Sequence, residues 1–466
     1  MPRPVALLRL FLSCSLVSIL TACAPVGPNY ARPQMPTPEY RFVSGTAQAE
    51  TLADTPWFQV FDDPALQALI REAIANNLDL RAAVARVEEA RARAGIAKSF
   101  LYPQVDGVAA YNARGGSSSD TEDTAHQSGN YGFQLSWELD LFGRIRRQQE
   151  SAVALALASE QARRGVLVTL VGDVATNYFL LRELSLQLEI SRQTLDLNDQ
   201  TVTYFTNRLQ GGVSNRLELD RIQANRSQTA ATIPDIETQI ATVENLISLL
   251  LGRPPGAIAH QSLSSTEQLA PPIPPGLPAS LLERRPDVVE AEQVLVSANA
   301  DIGAAKAMFY PTISLTGFLG GISGDLTRFL GAEGAVWSVG AGLVQPVFQG
   351  GRLRRNLEVM QARYNAAVAG YQQAALNGYR EVANALVTIQ KLAQKRVERQ
   401  AGVVALQDAS DLARARYDSG LASYIEILTA DQDLFGQQLL LAENIGAELR
   451  ARAELYRALG GGWQQP

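Results

Sequence analysis

Few side chains in this 466-residue chain stand where they could do chemistry. The two histidines are far apart. His126 lies in the polar run RGGSSSDTEDTAHQSGN (114–130), and His260 lies close to a proline-rich stretch. No Cys/His spacing suits a metal, and no nucleophile elbow or phosphate loop is present. GFLGGISG (317–324) is glycine-rich, but no lysine follows it, so it reads as a strand running into an exposed loop. Neither an enzyme nor a cofactor is expected. One group does stand out. Cys23 closes the apolar run in LTAC (20–23), and a thiol at such a junction can carry a covalent group.

Residues 1–22 have the layout of a cleaved export signal. Arg3 and Arg9 give a positive start, residues 10–20 are mostly apolar, and the small Thr21 and Ala22 precede Cys23. The run is short for a transmembrane span. Leu20-Thr21-Ala22-Cys23 resembles the lipobox of bacterial lipoproteins. That resemblance implies a diacylglycerol on the Cys23 sulfur, cleavage before it, and acylation of the new amino terminus. Ala24-Pro25 follows with no Asp, which by analogy favours the outer membrane. The alternative is an ordinary signal with an incidental cysteine. Cys14 leaves with the signal, so no pair remains for a disulfide. Loss of Arg3 and Arg9 takes the formal charge from −6 to about −8, and an acidic surface argues against nucleic acid.

The elements that must carry such an anchor come in duplicate. SFLYPQV (99–105) recurs as AMFYPTI (307–313), DLFGRIRR (140–147) as VFQGGRLRR (347–355), RLQGGVSN (208–215) as RYDSGLAS (416–423), and LLLG (249–252) as RALG (457–460), all at an offset of 208. Four matches at one offset mark a tandem duplication. The pattern predicts a first repeat over 61–252, with helices at 64–98, 143–210 and 214–251 and strands at 103–113 and 131–141. The second repeat, over 281–460, has helices at 281–307, 351–418 and 421–459 and strands at 311–320 and 336–348. A lipidated extension (23–60), a proline-rich linker (253–280) and a short tail (461–466) complete the chain.

Within YGFQLSWELDL (131–141), Tyr131, Phe133, Leu135, Trp137, Leu139 and Leu141 alternate with small or polar residues, which is period two. Residues 143–210 contain no proline. Leu167, Val174, Leu181, Leu188, Leu195, Val202 and Leu209 recur every seventh position, as in coiled-coil packing. The returning helix carries Ile233, Ile236, Ile240, Val243, Ile247 and Leu250 as its stripe, and Pro234 should kink or cap it. Four strands per chain cannot close a barrel, and an open edge cannot face lipid. Three copies would give twelve strands, an even number that closes, and twelve helical rods to continue them. The soluble alternative packs the small sheet on the helices, with Trp137 and Tyr131 in a core.

Beyond these patterns, CAPVGPNYARP (23–33), PWFQVFDDPALQALIREAIANNLDLRAAVARVEEARA (56–92), SWELDLFGRIRR (136–147), LLERRPDVVEAEQVL (281–295) and QPVFQGGRLRR (345–355) resemble the TolC-type outer-membrane efflux channels, in the OprM/NodT-like lipoprotein branch. The resemblance covers nearly the whole chain after Cys23. It implies a mainly α fold with a membrane β-barrel: a homotrimer whose twelve-stranded barrel crosses the outer membrane and continues as a twelve-helix barrel into the periplasm. It also implies a passive duct for drugs or other small molecules, docked to a periplasmic adaptor and an inner-membrane pump, commonly proton-driven and of the RND class. Loops 114–130 and 321–335 would then face outside the cell.

In such channels the periplasmic end is held by acidic, tyrosine and arginine side chains. The resemblance places that end at two hairpin tips, Gly211–Gly212 and Gly420. It gives Glu218 and Glu426, each six positions after a tip glycine, as constriction candidates and Tyr417 as the tip tyrosine. The family's model member has an arginine two residues after the second glycine, where this chain has Ala422. Arg216 is the candidate substitute. The bland alternative is that Glu218 and Glu426 are solvated helix charges. Two other functions fit part of the pattern: the outer-membrane duct of a type I protein secretion system, and a structural coiled-coil lipoprotein that opens no pore. Cys23→Ser is expected to abolish acylation and cleavage at this site. Mass spectrometry of the mature terminus checks this, and an unmodified wild-type terminus elsewhere would refute it.

Overall fold

The computed structural model describes residues 25–35, 61, 63–114, 126–263, 284–323 and 335–461. Cys23, the export signal, most of the extension and linker, and the two expected outer loops lie largely outside them. In chain order the elements are α1 (Pro64–Asn76), α2 (Leu78–Ser99), β1 (Gln104–Arg114), β2 (His126–Leu139), α3 (Arg144–Gln210), α4 (Arg216–Leu250), α5 (Pro286–Ala307), β3 (Thr312–Ser323), β4 (Ala335–Val344), α6 (Arg352–Asp418) and α7 (Tyr424–Ala458). The chain divides into two compact units.

The first unit gathers Met1–Gln34, Ala85–Gln161 and Glu290–Gln373, and it holds the sheet. The four strands pair antiparallel in the order β1-β2-β3-β4, so β1 and β4 are its edges. The register sorts the side chains strictly. Val105, Gly107, Ala109 and Tyr111 share one face with Tyr131, Phe133, Leu135, Trp137 and Leu139. Ile313, Leu315, Gly317, Leu319 and Gly321 join them from β3, and Ala335, Trp337, Val339, Ala341 and Leu343 from β4. This face carries no charge. The opposite face is mixed: it carries Gln104, Asp106, Gln134, Ser136, Glu138, Ser314, Thr316 and Ser338, together with Val108, Phe318, Ile322 and Val336. The apolar face is not packed on helices. Phe133, Leu319, Trp337 and Val339 are 62–78% exposed, which rules out the soluble sheet with an aromatic core.

The second unit spans Met35–Val84, Ala162–Val289 and Ala374–Pro466, and its described residues are mainly helical. Its main core joins Leu66 and Ile70 of α1, Val174, Tyr178, Phe179 and Leu181 of α3, Ile247 of α4 and Ile445 and Leu449 of α7. Full burial of side chains of this size contributes about 1.5–3 kcal/mol each. Asp63 fixes the entry of α1. One of its oxygens accepts from the amides of Ala65 and Leu66, and the other accepts from the Tyr178 hydroxyl at 2.8 Å and from Arg182 at 3.2 Å. The heptad stripe of α3 is buried at Leu167, Val174 and Leu181 and half-buried from Leu188 to Leu209. Each of the two 67-residue helices, α3 and α6, is about 100 Å long at 1.5 Å per residue.

Several expected boundaries shift for local reasons. The single helix over 64–98 is two, because Asn77 leaves the helical region and starts a new cap. Its side-chain oxygen accepts from the Leu80 amide, and its Nδ2 donates to the Leu250 carbonyl, both at 2.9 Å. β2 ends at Leu139, short of Leu141, because Asp140 turns to accept from the amides of Ile145 and Arg146 and so caps α3. β4 ends at Val344, not 348, since Pro346 has no N–H for the ladder. α5 starts at Pro286, not 281, a residue suited to the first helical turn. α4 runs on through Pro234, an exposed position, so the proline does not cap a segment there. β2 begins at His126, five residues before the expected 131 and inside the expected loop 114–130, because the ladder with β1 continues past Tyr131 as far as the Arg114–His126 pair. The other described ends fall within three residues of expectation.

Asn77 is 4% exposed, so losing both of its bonds leaves a buried amide and carbonyl unsatisfied. Asn77→Ala is expected to lower stability by about 1–2 kcal/mol, read as a drop in the denaturation midpoint of the detergent-solubilised protein.

Candidate functional site at the hairpin tips

The two helix reversals of the second unit are built alike. α3 closes with amide bonds from Gly212 to Leu209 and from Val213 to Arg208, and Gly212 has φ +72. α6 closes with bonds from Gly420 to Tyr417 and from Leu421 to Arg416, and Gly420 has φ +74. Both are Schellman ends, which place the residue after the helix in the left-handed region and so favour glycine. Gly211, by contrast, bonds back to Asn207 as part of the helix end.

The return helices start differently. Asn215 caps α4 by accepting from the Glu218 amide at 2.9 Å, and the Ser214 hydroxyl donates to the Glu218 carboxylate at 2.7 Å. Ser423 precedes α7 without a side-chain cap bond. Glu426 instead meets Arg416 at 3.7 Å, with both side chains about half exposed. Gln432 of α7 donates to Asn225 of α4 at 2.7 Å, tying the two hairpins together.

Behind the turns lies an apolar cluster of Phe205, Leu219, Ile222, Ala413, Tyr424, Ile427 and Leu428. Its aromatic rings form a chain. Phe205 and Tyr424 lie 4.3 Å apart between centroids, Tyr424 and Tyr417 lie 5.7 Å apart, and Tyr204 packs edge-on against Phe205 at 5.3 Å. Arg208 sits over two of these rings, 5.6 Å from Tyr204 and 5.8 Å from Tyr417, and donates to the Tyr204 hydroxyl at 3.0 Å. Its Nε is buried without a hydrogen-bond partner. Glu218 acts through space on both Arg208 and Tyr417.

Arg216, the expected substitute for the missing tip arginine, pairs instead with Asp220 one turn along its own helix, at 2.9 Å and well exposed. Residues four apart on a helix face one another, which explains that choice. The arginine that meets Tyr417 is Arg208, which the sequence reading passed over. The repeat did hold a clue, since Arg208 lies 208 positions before Arg416 and both carry the carbonyl that closes their turn. Glu218, Tyr417 and Arg208 come together, while Glu426 and Arg416 form a separate pair.

The sheet, the long helices and the paired tips are those of a known class. The chain matches the family model for outer membrane efflux protein over residues 69–253 and again over 277–461, two tracts also offset by 208. It belongs to the outer membrane efflux protein family, whose members are channels of the outer membrane. It is 35% identical over 450 residues to the cation efflux system protein CusC of Escherichia coli O6:H1, covering 96% of this chain and 97% of that one. It is 34% identical to the solvent efflux pump outer membrane protein SrpC of Pseudomonas putida, covering 96% of each. The solved structure of the outer-membrane channel OprN aligns with a TM-score of 0.88 at 30% identity, covering 94% of this chain and 100% of that one.

Burial, aided by nearby Asp431, pushes the Tyr424 hydroxyl up to about 12 from 10.0. A raised value means that the neutral phenol is favoured in the fold. Its contribution is complete below pH 10 and is lost as pH rises through about 12. Wild type should therefore lose about 2–3 kcal/mol across that window through this residue. Tyr424→Phe should remove that share of the loss, as measured by denaturation midpoints at pH 9.5 and pH 12.

Proposed function

We propose that this chain forms a homotrimeric duct, the passive outer-membrane part of a tripartite efflux system. Its four strands and those of two further copies close a twelve-stranded barrel, and the helices continue that barrel as twelve rods in the periplasm. The observation that carries this reading is the uncharged sheet face together with the two unpaired edges. Such a face suits hydrocarbon, and such edges need strand partners there. The mixed face would then line the lumen.

In this reading Cys23 carries a lipid, and a periplasmic adaptor and an inner-membrane RND-type pump complete the machine. The pump supplies the energy. Cargo is small molecules or ions, since CusC is named for cation efflux and SrpC for solvent efflux at nearly equal identity. Those names favour small-molecule export over protein secretion by a type I system. Selection among cargoes rests with the pump, because the sheet face left for the lumen mixes polar, apolar and charged side chains without one dominant chemistry.

The hairpin tips close the periplasmic end. Arg208, between Tyr204 and Tyr417, holds the apolar cluster together, and Glu218 and Glu426 present carboxylates beside it. In a trimer, three copies of each would repel one another and attract cations. Reconstituted trimers should therefore conduct in planar bilayers, select cations, and be blocked by divalent or trivalent cations added on the periplasmic side. The double variant Glu218→Ala/Glu426→Ala should weaken that block while leaving the trimer intact. Unchanged block would refute these two residues, and absence of any conductance would refute the duct.

A further inference from the structure

Residues 25–34 form a built strap in the first unit. Val26 donates its amide to the Phe142 carbonyl at 3.0 Å, and Asn299 donates to the Pro28 carbonyl at 3.0 Å. Arg147, itself buried, donates to the Asn29 side chain at 2.9 Å. The strap is then clasped on α5. Arg32 grips Glu292 with two bonds of 2.7 Å, and the Tyr30 hydroxyl donates to the same carboxylate at 3.0 Å. Glu292 is 7% exposed while Arg32 is about half exposed, so a buried carboxylate is held by a bidentate, charge-assisted pair with the tyrosine as a third donor. Gly27, at φ +112, lies so close to α5 that a Cβ there would come 2.4 Å from the Gly303 Cα.

The duplicated fold does not require this segment. The positions on α2 that match Glu292 and Gly303 are Val84 and Gly95. Val84 is exposed, and a Cβ on Gly95 would meet nothing within 4 Å. Where the strap docks is also specific. Phe142 follows β2 and stacks on Tyr310, which precedes β3, with centroids 4.8 Å apart. Phe100 and Tyr102 before β1, Phe309 before β3 and Phe348 after β4 are exposed at that same end of the sheet. Aromatic side chains gather at membrane–water interfaces.

We infer that the strap is a positioning device for the lipid anchor. It holds the chain at Pro25, beside the aromatic end of the sheet, so that acyl chains on Cys23 enter the same lipid interface as those rings. Two residues reach at most about 7 Å, which leaves little slack. The clasp residues Arg32, Tyr30 and Glu292 set the point of attachment. This inference rests on lipidation of Cys23 as read above.

The test uses the full-length, lipidated protein in phosphatidylethanolamine/phosphatidylglycerol vesicles. A bimane label is placed at Ala24→Cys, the remaining free thiol once Cys23 is acylated, and some of the lipids carry a headgroup nitroxide quencher. Hydrogen exchange at the Val26 amide reports docking, and intact mass reports acylation. In wild type the amide should exchange slowly and the label should be strongly quenched. Glu292→Gln and Arg32→Ala should leave acylation and trimer formation unchanged, speed Val26 exchange at least tenfold, and cut quenching at least twofold. The swap Arg32→Glu/Glu292→Arg should restore part of both and guards against misfolding as the cause. Rapid exchange in wild type, or quenching that stays constant when the clasp is broken, would overturn the inference. An unacylated wild-type terminus would show in the mass alone, and it would refute lipidation while leaving docking to be judged by exchange.

Discussion

A sheet with one uncharged face and two unpartnered outer strands cannot rest in hydrocarbon by itself. Along β1 and β4 every second residue points a backbone N–H and C=O outward, and each such group left unpaired in lipid costs several kcal/mol. That cost outweighs any packing preference a four-stranded sheet could have. In the proposed reading it makes the sheet a fragment of a closed barrel, and the lack of charge on one face is what turns that face to lipid. The rest of the chain is consistent with that demand. The long helix α3 leaves its heptad residues half-buried from Leu188 to Leu209, and these too have room for further neighbours.

Duplication supplies the plan, and small departures from it supply the specialised parts. Arg208 and Arg416 occupy equivalent positions, yet Arg416 faces a carboxylate and Arg208 faces two tyrosine rings. The reason lies in the second partner of each. Glu218 is engaged by the Ser214 hydroxyl and its own helix cap, while Glu426 has no such hold and remains available to Arg416. The first helix of each repeat differs in the same spirit. In the first repeat Asn77 splits it, and in the second a strap from the N-terminus lies across it.

Much of this was legible in the residues. The alternation of Tyr131 to Leu139, the sevenfold spacing of leucines in α3 and the tip glycines all follow from periods of two, seven and a left-handed turn, which are local properties. What escaped the reading were choices between competing local bonds. Asp140 could have continued a strand and capped a helix instead. Asn77 looked like one polar residue in an amphipathic run, yet a carbonyl 173 positions away, at Leu250, gives it a reason to stop the helix. Arg216 and Arg208 are both arginines near a turn, and only the packing of Tyr204 and Tyr417 distinguishes them. Long-range partners decide such cases, and a single sequence does not display them.

Asp63 shows how such economy constrains change. One oxygen caps α1 and the other holds Tyr178 and Arg182, so a single carboxylate performs two duties that depend on different properties. Asparagine would keep the cap and abandon the charge. Glutamate would keep the charge and, one methylene longer, misplace the cap. No neighbouring amino acid offers a gradual way out. A substitution at Asp63 therefore disturbs two helices at once, the start of α1 and the Tyr178–Arg182 stretch of α3.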